Sequence, residues 1–122
     1  MMETQTGNVV EKRRFQRMDS NLPLRYKNIK TATVPMGSLT RDISEGGIRF
    51  KTNEFISLAC RLVVEVSLPT MQRPIRAISK VAWIRKLSSG EQYELGNQFL
   101  EISKEDRGHI TNYVNRLNGM DL

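Results

Sequence analysis

Cysteine, histidine and tryptophan each occur only once in this 122-residue chain. The single cysteine, Cys60, cannot form an internal disulfide or a cysteine-rich zinc site, and it fits a reducing compartment. The lone histidine, His109, leaves metal ligation to carboxylates, and no pair of acids stands at ligand spacing around it. Any nucleophile–base pair would have to join Cys60 to His109, an arrangement that the sequence neither supports nor excludes. Cys60, at a strand entrance, reads as a small buried hydrophobe, and His109 as a surface or packing residue. No glycine-rich phosphate loop opens a helix. Glu105 and Asp106 are better explained by a helix N-terminus than by acid–base work. Catalysis is therefore the weakest reading, with no catalytic residue, metal site or cofactor expected. Long apolar runs are missing too. Nothing approaches the roughly 18 residues of a membrane span. The opening MMETQTGNVV lacks the basic-then-apolar pattern of a signal peptide, so a cytoplasmic protein without membrane insertion is expected.

What the chain does have is one core's worth of apolar residues and an uneven charge. Hydrophobic residues make up 39% and charged residues 26%, as in a soluble globular protein of one domain. The net charge is +6, and its distribution matters more than its size. Residues 11–30 carry Lys12, Arg13, Arg14, Arg17, Arg25, Lys27 and Lys30 against Glu11 and Asp19, for +5. The remaining 92 residues after them contribute only +2, and residues 1–10 contribute −1. Charge concentrated in this way points to a localised anionic partner rather than to diffuse attraction.

Residues 1–10 carry no periodic pattern and read as a flexible tail. From Leu22 the sequence reads as strands separated by turns. Leu22–Lys27 alternates apolar and polar residues, and Ser38–Ile43 and Ile48–Lys51 flank the turn Ser44-Glu45-Gly46-Gly47. In Arg61–Leu68, Leu62, Val64, Val66 and Leu68 share one face. Ile75–Lys86 is a long strand whose apolar phase slips near Ser79, as a bulge or bend would require. After the turn at Ser88-Ser89-Gly90, Gln92–Ile102 forms another strand, in which Gly96 allows a sharp bend. Tyr26, Phe50, Trp83, Tyr93, Phe99 and Tyr113 fall in phase with the core, Phe55 in a loop, and Phe15 in the basic segment. The period then changes. Ser103 with Asp106 resembles a capping box, and Ile110, Tyr113, Val114 and Leu117 fall at helical spacing. Gly108 weakens that helix by about 1 kcal/mol relative to alanine and loosens its first turn. About six strands and one terminal helix suit a closed antiparallel barrel capped by the helix, which hides its edges best. The organisation expected is a tail at 1–10 and one domain at 11–120, with an arm at 11–20, a barrel at 22–102 and a helix at 103–117.

Two segments carry binding chemistry. In Glu11-Lys12-Arg13-Arg14-Phe15-Gln16-Arg17, several arginines offer planar forks that bond bidentately to phosphate or to the O6/N7 edge of guanine. In Arg41-Asp42-Ile43-Ser44-Glu45-Gly46-Gly47, Asp42 and Ser44 point to the face opposite Ile43. Asp42 can accept from the N1 and N2 hydrogens of guanine, or can orient an arginine. Ser44 offers a hydroxyl, and Gly47 presents no side chain to keep a ligand from the backbone.

Arg13-x-x-x-Arg17 followed by Asp42-x-Ser44-x-x-Gly47 resembles the paired RxxxR and [D/N]xSxxG motifs of PilZ domains, bacterial receptors for cyclic di-GMP. Each motif is weak alone; their order, spacing and following strand pattern make the combination specific. The resemblance spans roughly residues 11–117. Val81-Ala82-Trp83-Ile84-Arg85, Leu95-Gly96-Asn97-Gln98-Phe99 and the terminal helix look like the family's later elements. It implies a six-stranded antiparallel barrel with a C-terminal helix and a flexible N-terminal arm. It further implies that Arg13 and Arg17 clamp guanine edges and phosphates, that Asp42 and Ser44 receive the other guanine face, and that Gly47 permits close approach. Lys12, Arg14 and Gly46 are secondary candidates. The extra charge at Lys12 and Arg14 favours a stacked pair of ligands, which bring four phosphates rather than two. With no appended effector domain, the signal of such a receptor, whether for motility, biofilm or polysaccharide control, would pass by contact with a protein partner.

Two other readings compete. A small basic nucleic-acid-binding barrel needs exposed aromatics as stacking platforms, and most aromatics here fall in core phase, so nucleic acid is not the expected partner. A PilZ-like adaptor indifferent to nucleotide would not need the intact motifs.

Overall fold

Leu62, Val64 and Val66, the alternate residues of the most regular strand, are each at most 1% exposed, and the core grows from them. The computed structural model describes residues 17–31, 34–88 and 90–117. Seven strands are found among them: β1 (Arg17–Asp19), β2 (Pro23–Asn28), β3 (Met36–Ser44), β4 (Gly47–Thr52), β5 (Arg61–Val66), β6 (Ile75–Lys86) and β7 (Tyr93–Ile102). One helix, α1 (Lys104–Leu117), follows. Six strands run antiparallel in the order β3-β2-β5-β6-β7-β4, and the β3–β4 pairing closes them into a barrel. Closure leaves none of those six strands as a whole at a sheet edge, the solution a short β-rich chain requires.

The nine residues of β3 outrun any single partner on one side. Its first half pairs with β2, from Met36 opposite Tyr26 to Leu39 opposite Pro23. Its second half pairs with β1, Ile43 opposite Met18 and Asp42 opposite Asp19. The joint between β1 and β2 is held by Thr40, which is fully buried. Its Oγ1 accepts the Leu22 N–H at 2.9 Å and lies 2.6 Å from Ser20 Oγ, while its own N–H bonds to the Leu22 carbonyl at 2.9 Å. The β1 side of this joint lies within the arm expected over residues 11–20. Arg17–Asp19 is a strand hydrogen-bonded to β3, because β3 continues past the end of β2 and its edge must be satisfied. Residues 1–16, including the tail and the rest of the arm, lie outside the described residues.

The phase slip expected near Ser79 lies further along: Ile75, Ala77, Ser79 and Val81 are buried in one unbroken phase. The β6–β7 register does shift between Ile78 and Ser79, where β7 carries the extra residue, and again between Val81 and Trp83, where β6 does. Val81 faces the core, and the second shift turns Trp83 to the outside. Ser79 is buried, with its hydroxyl 3.2 Å from Asn97 Oδ1.

Helix α1 covers the barrel with Ile110 and Val114, four residues apart and at most 3% exposed. Ser103 Oγ accepts the Asp106 N–H at 3.0 Å, as an N-cap should. The Asp106 carboxylate turns to the β5–β6 loop, where Arg73 Nη2 lies 2.7 Å away. That guanidinium holds the Asp106 carboxyl below the usual aspartate range against the opposing effect of burial. Gly108 is exposed within an unbroken helix, and a methyl group there would meet nothing.

Gly108→Ala is therefore expected to stabilise the fold by about 1 kcal/mol, read by denaturant unfolding. A carboxyl whose folded pKa is depressed stabilises the fold above its unfolded pKa, and that contribution is lost as pH falls through the folded pKa. Arg73→Ala should accordingly lower the melting temperature at pH 7. The gap from the parent should narrow as pH drops below the ordinary aspartate value of 3.8.

Candidate functional site

The turn between β3 and β4 is built from its own short side chains. Ser44 Oγ accepts the Gly46 N–H at 3.1 Å and lies 3.4 Å from the Gly47 carbonyl. The Gly46 carbonyl accepts the Phe99 N–H at 2.9 Å, which ties the turn to β7. Helix α1 holds it from the other side: Arg107 Nη1 donates to the Glu45 carbonyl at 3.3 Å, and Thr111 Oγ1 to Glu45 Oε1 at 2.9 Å.

The last residue of the first motif meets the second at this corner. The backbone of Arg17 stands directly opposite Ser44 in the β1–β3 register, although 26 residues separate them in sequence. Asp42 and Ser44 lie on either side of the fully buried Ile43, and both are buried themselves. Asp42 takes up one of the two roles open to it, orienting an arginine: Arg49 Nη2 is 2.8 Å from its Oδ2. A Cβ at Gly47 would collide with the backbone carbonyl of Asn97, so the space where a side chain would stand is filled by β7. Lys12, Arg13 and Arg14 lie outside the described residues.

Sequence reasoning missed the outer face beside this corner. Asp42, Arg49, Gly96 and Trp83 are successive cross-strand partners along β3, β4, β7 and β6. One step along β7, Glu94 is only 2% exposed, yet it points to this same outer side. Arg85 binds its Oε1 twice, through Nη2 at 2.7 Å and Nε at 2.9 Å. Arg41 Nε and Arg49 Nε approach Oε2 at 3.8 and 3.9 Å. Three guanidinium groups thus share one buried carboxylate. A concavity of about 360 Å³ lies between Asp19, Ser20, Asn21, Arg41 and Arg49. The signal for this cluster was present in alternation, since Arg49 and Lys51 on β4, and Trp83 and Arg85 on β6, sit two residues apart.

Trp83 was expected in the core and is 39% exposed. Gly96 was expected to bend β7; a Cβ there would instead collide with the Trp83 indole, so the glycine seats that ring. Among the described residues, no three His, Cys, Asp or Glu side chains gather to hold a metal, and no helix is long and apolar enough to cross a membrane. His109 Nε2 lies 4.0 Å from Glu105, and Cys60 is partly buried against the core. What the corner offers is hydrogen-bond donors and positive charge for an anion.

A family model described as PilZ domain matches residues 11–116. No curated protein matches the sequence. Among solved structures, the inhibitor of motility MotI/DgrA of Bacillus subtilis is similar with a TM-score of 0.77 at 20% identity, over 89% of this chain and 52% of that one. The PilZ domain of Escherichia coli YcgR with c-di-GMP gives a TM-score of 0.67 at 17% identity, over 89% of this chain and 93% of that one. The K. pneumonia MrkH–c-di-GMP complex gives 0.68 at 19% identity, over 89% and 53%. The chain therefore spans about half the length of MotI and MrkH and nearly all of the YcgR domain. These likenesses show the same barrel.

The steric account of Gly47 predicts that Gly47→Ala destabilises the protein by about 1–3 kcal/mol, because the obstacle is backbone that cannot rotate away. Equilibrium unfolding in urea, without any ligand, measures it.

Proposed function

The chain belongs to the PilZ domain family, and on that footing we propose that it is a receptor for cyclic di-GMP, acting by binding and not by catalysis. The observation that carries the reading is the β1–β3 register, which sets Arg17 opposite Ser44 and so joins the two motif halves at one corner. The PilZ domain of YcgR and MrkH were both solved with c-di-GMP, which supports the same ligand class here.

In this reading Arg13 and Arg17 supply guanidinium forks to guanine edges and phosphates, with Lys12 and Arg14 adding charge. Asp42 and Ser44 line the other side, and Gly46 and Gly47 shape the turn between them. Asp42 is already paired with Arg49. A guanine entering here therefore meets an aspartate and an arginine held together, a donor–acceptor pair matched to its N1/N2 and O6/N7 edges. Before binding, the cations at 12, 13, 14, 17 and 25 repel one another. A doubly anionic ligand relieves that repulsion and draws the segment before β1 onto the barrel. The new surface is read by a protein partner. Glu45 gives the change a route, since the turn bearing Ser44 is bonded through it to Arg107 and Thr111 of α1.

Calorimetric titration with cyclic di-GMP tests the reading, with cyclic di-AMP and a single-stranded oligonucleotide as controls. Saturable binding of cyclic di-GMP with rejection of cyclic di-AMP is expected. Arg17→Ala should weaken it by about 2–5 kcal/mol, the cost of removing one partner from a buried charge-assisted contact. Unchanged affinity in Arg17→Ala would refute the assignment. Oligonucleotide binding that falls steeply with salt would favour the basic nucleic-acid barrel instead.

A further inference from the structure

The end of the barrel farthest from the motif corner holds most of the uncovered apolar surface. Met36 opens β3 and Ser44 closes it, so the two ends of that strand lie about 26 Å apart. Beside Met36 opens a concavity of about 410 Å³, lined also by Tyr26, Val34, Phe55, Ile56 and Cys60. Nine large apolar side chains are exposed among the described residues. Five of them, Ile29, Val34, Met36, Phe55 and Leu58, belong to the segments 28–36 and 53–60 that border this concavity. Val34 is 78% and Phe55 61% exposed. Phe55 is nonetheless held, its ring meeting Tyr93 edge-on with centroids 5.8 Å apart. Single apolar residues on a surface need no explanation, but a cluster around a hollow marks a site of interaction.

Charge decides what the hollow receives. Lys27 lines it, and Lys30 lies in the turn from Asn28 to Thr31, both of which line it too. The Ile29 N–H bonds to the Arg61 carbonyl at 3.1 Å, and Arg61 stands opposite Lys80 in the β5–β6 register. None of these four cations forms an ion pair with a described residue. Glu54 is the one acid in the lining, and it accepts the Tyr26 hydroxyl at 3.2 Å. An apolar hollow with a positive rim suits a segment that is apolar and acidic. A second copy of the chain would bring the same cations against one another. A bilayer is a poor match as well, since the apolar residues surround a hollow and do not crown a projecting loop.

We propose that this end of the barrel docks the protein partner, through a segment that places a large apolar side chain in the concavity and carboxylates against Lys27, Lys30 and Arg61. The inference rests on the receptor reading for one point, that a protein partner exists. Docking here does not depend on cyclic di-GMP. It tethers the partner, which reads the surface formed at the motif corner with another of its parts.

A photoreactive benzoylphenylalanine placed at position 55 of the full chain, in the cells the protein comes from, tests the proposal. Position 100, exposed on β7, is the control. Mass spectrometry is expected to find a cross-link from position 55 and not from position 100. Its target should be an acidic segment of another protein bearing a large apolar residue. That segment, synthesised as a peptide, is then titrated against the purified chain with and without cyclic di-GMP. Phe55→Asp should weaken its binding by about 10-fold or more, as for loss of an interface anchor. Lys30→Glu should weaken it by about 3-fold, since a rim charge contributes less. Cyclic di-GMP should leave the peptide's affinity unchanged. If Phe55→Asp does not fold, Lys30→Glu, at an exposed turn position, carries the test. Cross-links to a second copy, to lipid or to nucleic acid, or none at all, would overturn the inference, as would a target segment that is not acidic. Peptide binding unaffected by either substitution would do the same. Cyclic di-GMP binding by the wild-type chain is scored apart: its absence overturns the receptor reading alone, and a cross-link as described still upholds the docking surface.

Discussion

Everything at the proposed site depends on the pairing that closes the barrel, β3 against β4. That closure allows no long loop, only the turn at Glu45 and Gly46. It requires β4 to lie so close to β7 that Gly47 can be nothing larger. It also leaves the far end of β3 projecting beyond β2, where β1 completes the ladder. The corner that gathers Arg17, Asp42 and Ser44 is thus a by-product of how six strands close. Backbone hydrogen bonding built the corner, and the side chains then gave it a use.

The arginines of the barrel show a second regularity. Asp42, Glu94 and Asp106 are all buried, and each has a guanidinium within 2.8 Å. Each pair sits at a junction: β3 with β4, β6 with β7, and α1 with the loop before β6. Burying a carboxylate is costly unless it is paired and hydrogen-bonded, so each pair locks two elements in one relation. At Asp106 the lock is structural. At Asp42 and Glu94 the same pairing holds guanidinium groups at the surface in a set orientation, which is the condition for recognising a planar base or a phosphate.

The core strands and the cap of the helix could be read from the chain. Ile75–Lys86 has the same limits in both readings, but its phase slips after Val81 and not at Ser79. Trp83 could not be read, although it lies within that strand. Val81 and Trp83 are two residues apart and would share a face in a regular strand, but the shift between them puts one in the core and the other in solvent. Two glycines show a similar limit. Sequence can say that Gly47 and Gly96 leave room; it cannot say that Asn97 and Trp83 fill it.

The sequence by itself determined the strand periods, the turn at Ser44–Gly47, the helix cap and the two motifs, because each depends on residues only a few places apart. It also placed the basic excess in residues 11–30, across the arm and the first barrel strand. Tertiary structure alone decided that Arg17 stands opposite Ser44, that Arg41, Arg49 and Arg85 converge on Glu94, and that Trp83 faces outward. Those outcomes depend on which residues oppose one another across strands. A bulge of one residue changes that opposition without altering the composition of either strand.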